Sequence, residues 1–185
     1  VPQRLTSPKA VDDWFEKAAK GLNNYQKSVL RKRWATMEDL MSSGERKQRI
    51  MAGIIHDFGV RPRLNNDRGT AILVAVSIYD ACHYYRLFQN TNFGKHCGII
   101  TSFEPNPNAI SQEPKDSDER YKFDTYTQHV LKAGATGFQN TTLYETEMKR
   151  RFIEEPANIK LLIVVSKLLT GFDAPSCTYI YLDNE

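Results

Sequence analysis

The sequence lacks a long apolar run. No stretch of its 185 residues approaches the about 20 apolar residues that a transmembrane helix needs. The first residues, VPQRLTSPKAVDDW, contain neither the apolar core of a signal peptide nor an initiator Met. We therefore expect a cytoplasmic chain with no membrane partner, and we expect the sequence to be a fragment of a longer protein.

Cysteine and histidine are also scarce. The three cysteines, Cys82, Cys97 and Cys177, are odd in number and lie far apart, in or beside apolar segments. This pattern is typical of buried free thiols, because a small disulfide-bonded fold needs more cysteines in a shorter chain. The four histidines form no pair at the spacing of metal ligands. We therefore expect a reducing compartment and no metal site.

Several motifs of nucleotide and hydrolytic chemistry are absent. A P-loop needs glycine-rich backbone amides followed by Lys and then Ser or Thr, and FGKH at 93–96 offers only the Gly-Lys pair. Glu147 and Lys149, taken together with Asp124, resemble part of a nuclease site. Nuclease carboxylates usually lie on strands, however, whereas this segment has helical spacing and its own cap. The chain by itself therefore contains no complete catalytic site.

The charges that are present are unevenly distributed. Residues 1–68 carry 14 Lys and Arg against 8 Asp and Glu, a balance of +6, and the rest carries 11 against 14, a balance of −3. This asymmetry favours a polyanionic partner for the first part, with Lys27, Arg31, Lys32 and Arg33 lining a DNA path. A solvated helical surface has the same composition, so both interpretations stay open.

Residues 1–68 are predicted to be helical. A Ser-Pro pair at 7–8 begins a first helix, and Gly21 ends it. A second helix follows, and the capping box in SSGE at 42–45 predicts a break before a third helix, which stops at Gly59. The sequence GVRPRLNNDRG then predicts a loop.

From residue 69 onwards, the apolar pattern becomes that of buried strands. TAILVAV, CGIITSF, IKLLIVV and TYIYLD are short runs, mostly apolar on both faces, which is typical of parallel strands covered on both sides. Ser77 is predicted to cap one intervening helix, and Thr142 with Glu145 to begin another. The polar tract 104–119 is expected to be a mobile loop or an insertion. This alternation of strands and helices predicts a parallel α/β sheet.

Polar residues follow the predicted strands at the points where those strands end. In open parallel sheets, ligands bind just beyond the carboxyl ends of the strands. We therefore expect these polar residues to gather at one edge and to form the functional site. They are Ser77, Thr101, Ser102, Ser166, Thr170 and Asp173.

The segment around residues 159–183 carries the most specific pattern. A buried strand is followed by Val-Ser, four residues and then GFDAP, which resembles motif V in the second RecA-like lobe of superfamily 2 helicases and translocases. LLIVVSKLLTGFDAP followed by YIYLD is similar, more specifically, to the motor (R) subunit of type I restriction enzymes. AILVAVSIYDACHYYRLF resembles motif IV of the same subunit, and CGIITSFEPN the strand and loop after it. The resemblance covers about residues 69–185.

The resemblance implies both a fold and a function. The fold is a RecA-like parallel sheet flanked by helices over residues 69–185, truncated before motif VI and preceded by the helical, basic segment 1–68. The function is that of a fragment of the ATP-dependent DNA translocase and endonuclease subunit in a prokaryotic type I restriction–modification system. ATP and Mg²⁺ would bind mainly to the first lobe, so we expect the chain alone to be inactive. The implied partners are double-stranded DNA, the first RecA-like lobe and nuclease domain of the same chain, and the modification and specificity subunits.

The resemblance also implies roles for particular residues. Gly171 lets the backbone turn close to ATP, and Asp173 accepts hydrogen bonds from the ribose or from a motif VI arginine. Hydroxyl groups at strand ends hold DNA phosphates without reading bases, as a translocase requires. The candidates for contact with nucleic acid are Ser77, Thr101, Ser102, Ser166, Lys167 and Thr170.

Three alternatives stay open at this point. The chain could be a lobe of another superfamily 2 helicase, or a non-catalytic module that binds nucleic acid or protein. For Asp173, the alternative role is that of a buried carboxylate that caps a turn.

Overall fold

The computed structural model describes residues 17, 19–131, 137, 140–165 and 172–183, without the side chains of residues 34–42. These residues fall into two units, which meet in sequence between Arg46 and Lys47. The predicted first helix lies almost entirely outside the described residues. Its expected terminator, Gly21, has a positive φ of 98°, a conformation that glycine adopts at little cost.

A single helix, α1 (Asn24–Val60), takes the place of the predicted second and third helices. The predicted break at 42–45 was wrong, because these residues are helical. One glycine inside a helix costs only about 1 kcal/mol relative to alanine. The strong helix formers on both sides of SSG (MEDLM before it and ERKQRI after it) outweigh that cost. The helix ends one residue after Gly59, so the predicted end is confirmed.

Four strands form one sheet in the order β2-β3-β1-β4. They are β1 (Thr70–Val74), β2 (Cys97–Ile100), β3 (Leu161–Val164) and β4 (Cys177–Leu182). All three ladders are parallel, which confirms the predicted α/β sheet. Strands β2 and β3 are buried along their whole length, and β1 up to its last residue, because both of their faces are covered. Ile180 and Leu182, by contrast, are exposed on the edge strand β4.

Helices connect and cover the strands. They are α2 (Ile78–Gln89), α3 (Pro107–Ile110), α4 (Asp118–Asp124) and α5 (Thr141–Glu154), with a 3-10 helix at Asn92–His96 and a π-helix at Thr125–Val130. The connections through α2 and α5 run in opposite directions along the sheet. Right-handed crossovers therefore place these two helices on opposite faces. Among the described residues, no helix combines the length and the apolar composition of a membrane span.

Two local predictions need correction. The N-cap of α5 is Asn140, whose side-chain oxygen accepts the Leu143 N–H at 2.9 Å, so Thr142 and Glu145 do not begin the helix. The tract 104–119 is not simply a loop, because it contains α3 and the start of α4. The Arg120 side chain joins the two helices by donating to the carbonyl oxygens of Ile110 and Glu113, each at 3.0 Å.

The cysteines largely match the prediction of buried free thiols. All three are free, and Cys82 and Cys97 are buried in the core, whereas Cys177 is partly exposed. Burial raises the pKa of the Cys82 thiol to about 12, which makes this group a poor nucleophile near neutral pH.

Candidate functional site

The carboxyl ends of the four strands lie side by side along one edge of the sheet. Val164, at the end of β3, pairs with Ile100 on one side and with Val74 on the other. Val74 in turn pairs with Leu182 near the end of β4. The segments that leave these four residues therefore start from neighbouring positions. We call this region the carboxyl edge; it is the part of an open parallel sheet where ligands bind.

Ser77 leaves β1 at the carboxyl edge and caps α2, as the sequence predicted. Its hydroxyl oxygen accepts the Asp80 N–H at 3.1 Å, and its hydroxyl hydrogen is donated to Oδ2 of Asp80 at 3.0 Å. The side chain is partly exposed. Ser77 is therefore held in one position at the N-terminus of a 12-residue helix.

Thr101 and Ser102 leave β2, but they have different surroundings. Thr101 is buried, and its hydroxyl lies 2.5 Å from that of Tyr126 and accepts the Phe103 N–H at 3.1 Å. Burial raises the pKa of Tyr126, so this contact joins two neutral hydroxyl groups. Ser102 is exposed. Ser102 is thus the residue of this pair that presents a hydroxyl to solvent, while Thr101 fixes the turn.

The motif that follows β3 is only partly described. Ser166, Lys167, Thr170 and Gly171 lie outside the described residues, so their roles stay predictions. Asp173 is described and is exposed.

The aromatic residue beside Asp173 anchors this segment to the core. Phe172 packs against Phe152 of α5, with the ring centroids 6.0 Å apart. The Phe152 carbonyl also accepts the Ser176 hydroxyl, and Ser176 contacts Thr70 at the start of β1, so this segment packs near the amino ends of the strands rather than at the carboxyl edge.

A buried polar network that the sequence did not predict lies behind the carboxyl edge. The side chain of Lys47 is 3% exposed, and its Nζ lies 2.9 Å from Oδ1 of Asp80. The Tyr84 hydroxyl donates to Oδ2 of the buried Asp183 at 2.8 Å. Asp80 and Tyr84 are one turn apart on α2, so this helix contacts both α1 and the end of β4.

One part of this network had a signal in the sequence. Asp80 stands three residues after Ser77, which is the spacing of a capping box with a shorter acid. Lys47 had no such signal, because the run ERKQR reads as an ordinary charged helix surface.

A second polar cluster attaches the end of α1 to β4. The Tyr181 hydroxyl donates to Oδ2 of Asp57 at 2.8 Å, and Nε of Arg61 lies 2.9 Å from Oδ1 of the same carboxylate. The Arg61 guanidinium also lies over the Tyr179 ring, 5.6 Å from its centroid. Burial raises the pKa of Asp57, but the hydrogen bonds from Tyr181 and Arg61 outweigh it and hold that pKa below its usual value.

The four basic residues singled out in the sequence divide between two surfaces of α1. Lys27, Arg31 and Lys32 line an open cavity of about 530 Å³. Arg33 lines a different and largely apolar groove beside Tyr25. Both surfaces belong to the unit that precedes Lys47.

These observations define the class of the protein. A parallel α/β sheet with helices on both faces and a polar carboxyl edge is consistent with a RecA-like domain. A family model described as type I restriction enzyme subunit R domain 3 matches residues 67–185. The match covers more than half of the chain, and the chain belongs to this family.

The family assignment has a direct consequence for the sequence interpretation. The predicted resemblance to the R subunit of type I restriction enzymes is confirmed. A search of curated proteins found no match to the chain.

Proposed function

We propose that this chain supplies the second motor lobe of an ATP-dependent DNA translocase, the R subunit of a type I restriction–modification system. The observation that supports the proposal most strongly is a coincidence of position. The family match covers the parallel sheet, and Ser77, Thr101 and Ser102 follow the carboxyl ends of its strands β1 and β2.

The proposed role in ATP use belongs to the segment after β3. A two-lobe motor holds ATP between its lobes, so each lobe supplies half of the site. Asp173 is exposed, so it is accessible to accept hydrogen bonds from a ribose or from a motif VI arginine, and Gly171 would let the backbone approach the nucleotide. The P-loop and the Mg²⁺ ligands would come from the first lobe. ATP, when bound there, supplies the free energy of hydrolysis, and the present chain alone would be inactive.

The proposed role in DNA binding belongs to the turns after β1 and β2. Ser102 is exposed and Ser77 lies at a helix N-terminus, where backbone N–H groups and the helix dipole favour a phosphate. Contacts to phosphates position a protein on DNA without reading its sequence, which suits movement along a duplex. Ser166, Lys167 and Thr170 would add further phosphate contacts, and we call this set of contacts at the carboxyl edge the DNA track. The buried Thr101 would hold the turn that carries Ser102. The first lobe, the nuclease domain and the modification and specificity subunits are the proposed protein partners.

A photo-crosslinking experiment tests which edge of the sheet faces DNA. A photoreactive amino acid would replace Ser102 at the carboxyl edge or, as the matched control, Asp67 just before β1 at the opposite edge. The Asp67 side chain is 64% exposed, so both positions are accessible. We expect crosslinks to duplex DNA from position 102 of the full-length subunit and few from position 67. Equal or stronger crosslinking from position 67 would count against the proposed DNA track.

The basic surface of α1 gives a second, independent prediction about DNA. If Lys27, Arg31 and Lys32 contact phosphates, replacing all three with Gln should flatten the salt dependence of DNA binding. The expected change is about one unit of the log–log slope for each lost contact, because fewer counterions are released. Arg33→Gln is the matched control, since Arg33 lines the other groove, and it should leave the slope unchanged. A slope unaffected by the triple replacement would identify the surface as merely solvated.

A further inference from the structure

Lys47 is an unusual residue in the unit that contains the sheet, because its charge is buried. The whole residue is 2% exposed, whereas lysine is rarely buried unless its charge is paired. One partner of its ammonium group is Asp80, at 2.9 Å, in the first turn of α2. Hydrophobic replacements of buried ion pairs are often neutral or stabilising, so stability alone does not require this pair.

Asp80 lies in the turn that the proposed DNA track uses. One oxygen of its carboxylate faces Lys47, and the other accepts the hydroxyl hydrogen of Ser77. The Asp80 side chain is 21% exposed, so its negative charge acts on groups that bind at the surface. A bare carboxylate three residues from Ser77 would repel a DNA phosphate at the N-terminus of α2.

Two other basic residues of α2, His83 and Arg86, do not neutralise the Asp80 carboxylate. Burial, followed by the charge of Lys47, lowers the pKa of His83, so His83 adds no positive charge near neutral pH. Arg86 is committed elsewhere on α2: it donates to the Thr125 hydroxyl at 2.7 Å, and its guanidinium lies 4.1 Å from the centroid of the Tyr121 ring.

We propose that Lys47 is a buried counter-ion that neutralises Asp80, so that the turn between β1 and α2 can face a DNA phosphate. Asp80 fixes Ser77 through its hydrogen bond, and Lys47 removes the electrostatic penalty of having a carboxylate there. Lys47 is thus a positioning residue that acts through Asp80. This inference rests on the proposed contact between DNA and the carboxyl edge.

The test compares two substitutions in the full-length subunit by their effects on affinity for a fluorescent random-sequence DNA duplex. Lys47→Met leaves the Asp80 charge exposed to the phosphate, and we expect the affinity to fall about three- to tenfold. Asp80→Asn keeps an oxygen for the Ser77 hydroxyl but removes the negative charge. We expect its affinity to stay equal or to rise by up to a similar factor.

The opposite signs separate an electrostatic role from a structural one. Both substitutions break the same buried pair, so a purely structural role would weaken DNA binding in both. The matched control is Lys160→Met, which breaks the ion pair with Asp67 at the opposite edge of the sheet. We expect this control to leave the affinity unchanged. All affinities would be measured well below the melting temperature of each variant.

The remaining outcomes assign failure to one proposal or to the other. Ser77→Ala and Ser102→Ala test the DNA track itself. If these two variants lower the affinity, the DNA track stands. The counter-ion role is then wrong if Lys47→Met and Asp80→Asn both lower the affinity, or if both leave it unchanged. If none of the four changes the affinity, the track is wrong and the inference falls with it.

Discussion

Replacing Lys47 with methionine is expected to lower the local free energy of unfolding around α2 by about 3–5 kcal/mol, the range seen when one partner of a buried ion pair is removed. Methionine retains the packing of the lysine stem, so the loss comes from Asp80, which keeps its charge without a counter-ion. Hydrogen exchange of peptides from α2 and β1 in the full-length subunit measures this change, because it reports the free energy of local opening.

The double variant Lys47→Met with Asp80→Asn completes the measurement. It should be less destabilised than Lys47→Met alone, because Asp80 no longer carries a charge without its counter-ion. Arg150→Met is the matched control, since Arg150 and Glu154 form a surface pair at 3.0 Å, with side chains 45% and 62% exposed, and such pairs contribute about 0.5 kcal/mol or less. Equal protection loss in Lys47→Met and Arg150→Met would show that the buried pair contributes no more than a surface pair.

The sheet could be predicted from the sequence because each strand is a short apolar run bounded by turn residues. Burial on both faces of β2 and β3 produces continuous runs such as CGII and LLIV. Ser77 was predicted as a cap for an equally local reason, since it directly precedes an apolar helical pattern. These features depend on neighbours in sequence, so the sequence shows them.

The errors arose where distant contacts or competing signals decide the structure. The glycine in SSG predicted a helix break, but its small cost is outweighed by the strong helix formers on either side. Arg120 donates hydrogen bonds to two backbone carbonyl groups of the tract 104–119, and no local pattern in the sequence predicts these contacts.

The candidate site shows the same division. The strand order brings the carboxyl ends of β2, β3, β1 and β4 together, so the common edge of Ser77, Thr101 and Ser102 followed from the predicted parallel sheet. The sequence did not distinguish the buried Thr101 from the exposed Ser102, because that difference depends on Tyr126, which is 25 residues from Thr101. Lys47 was missed because its partner lies on another helix.

Asp173→Asn in the full-length subunit is expected to reduce DNA-stimulated ATPase activity about 10- to 100-fold. The substitution keeps the size of the side chain and removes the charge, and hydrogen bonds to charged groups contribute about 1.5–3 kcal/mol. Because Asp173 is exposed, the stability should change by no more than about 0.5 kcal/mol. Asp116→Asn, at another exposed acid in the tract 104–119, is the matched control and should keep full activity.

The most direct test of the motor-lobe assignment is to measure melting and ATP turnover on the same preparation of the Asp173→Asn subunit. A role of Asp173 in the ATP site predicts an unchanged melting temperature together with a large loss of DNA-stimulated turnover. A variant that melts early but keeps its specific activity, or one that is normal in both respects, would contradict the assignment of this carboxylate to the ATP site.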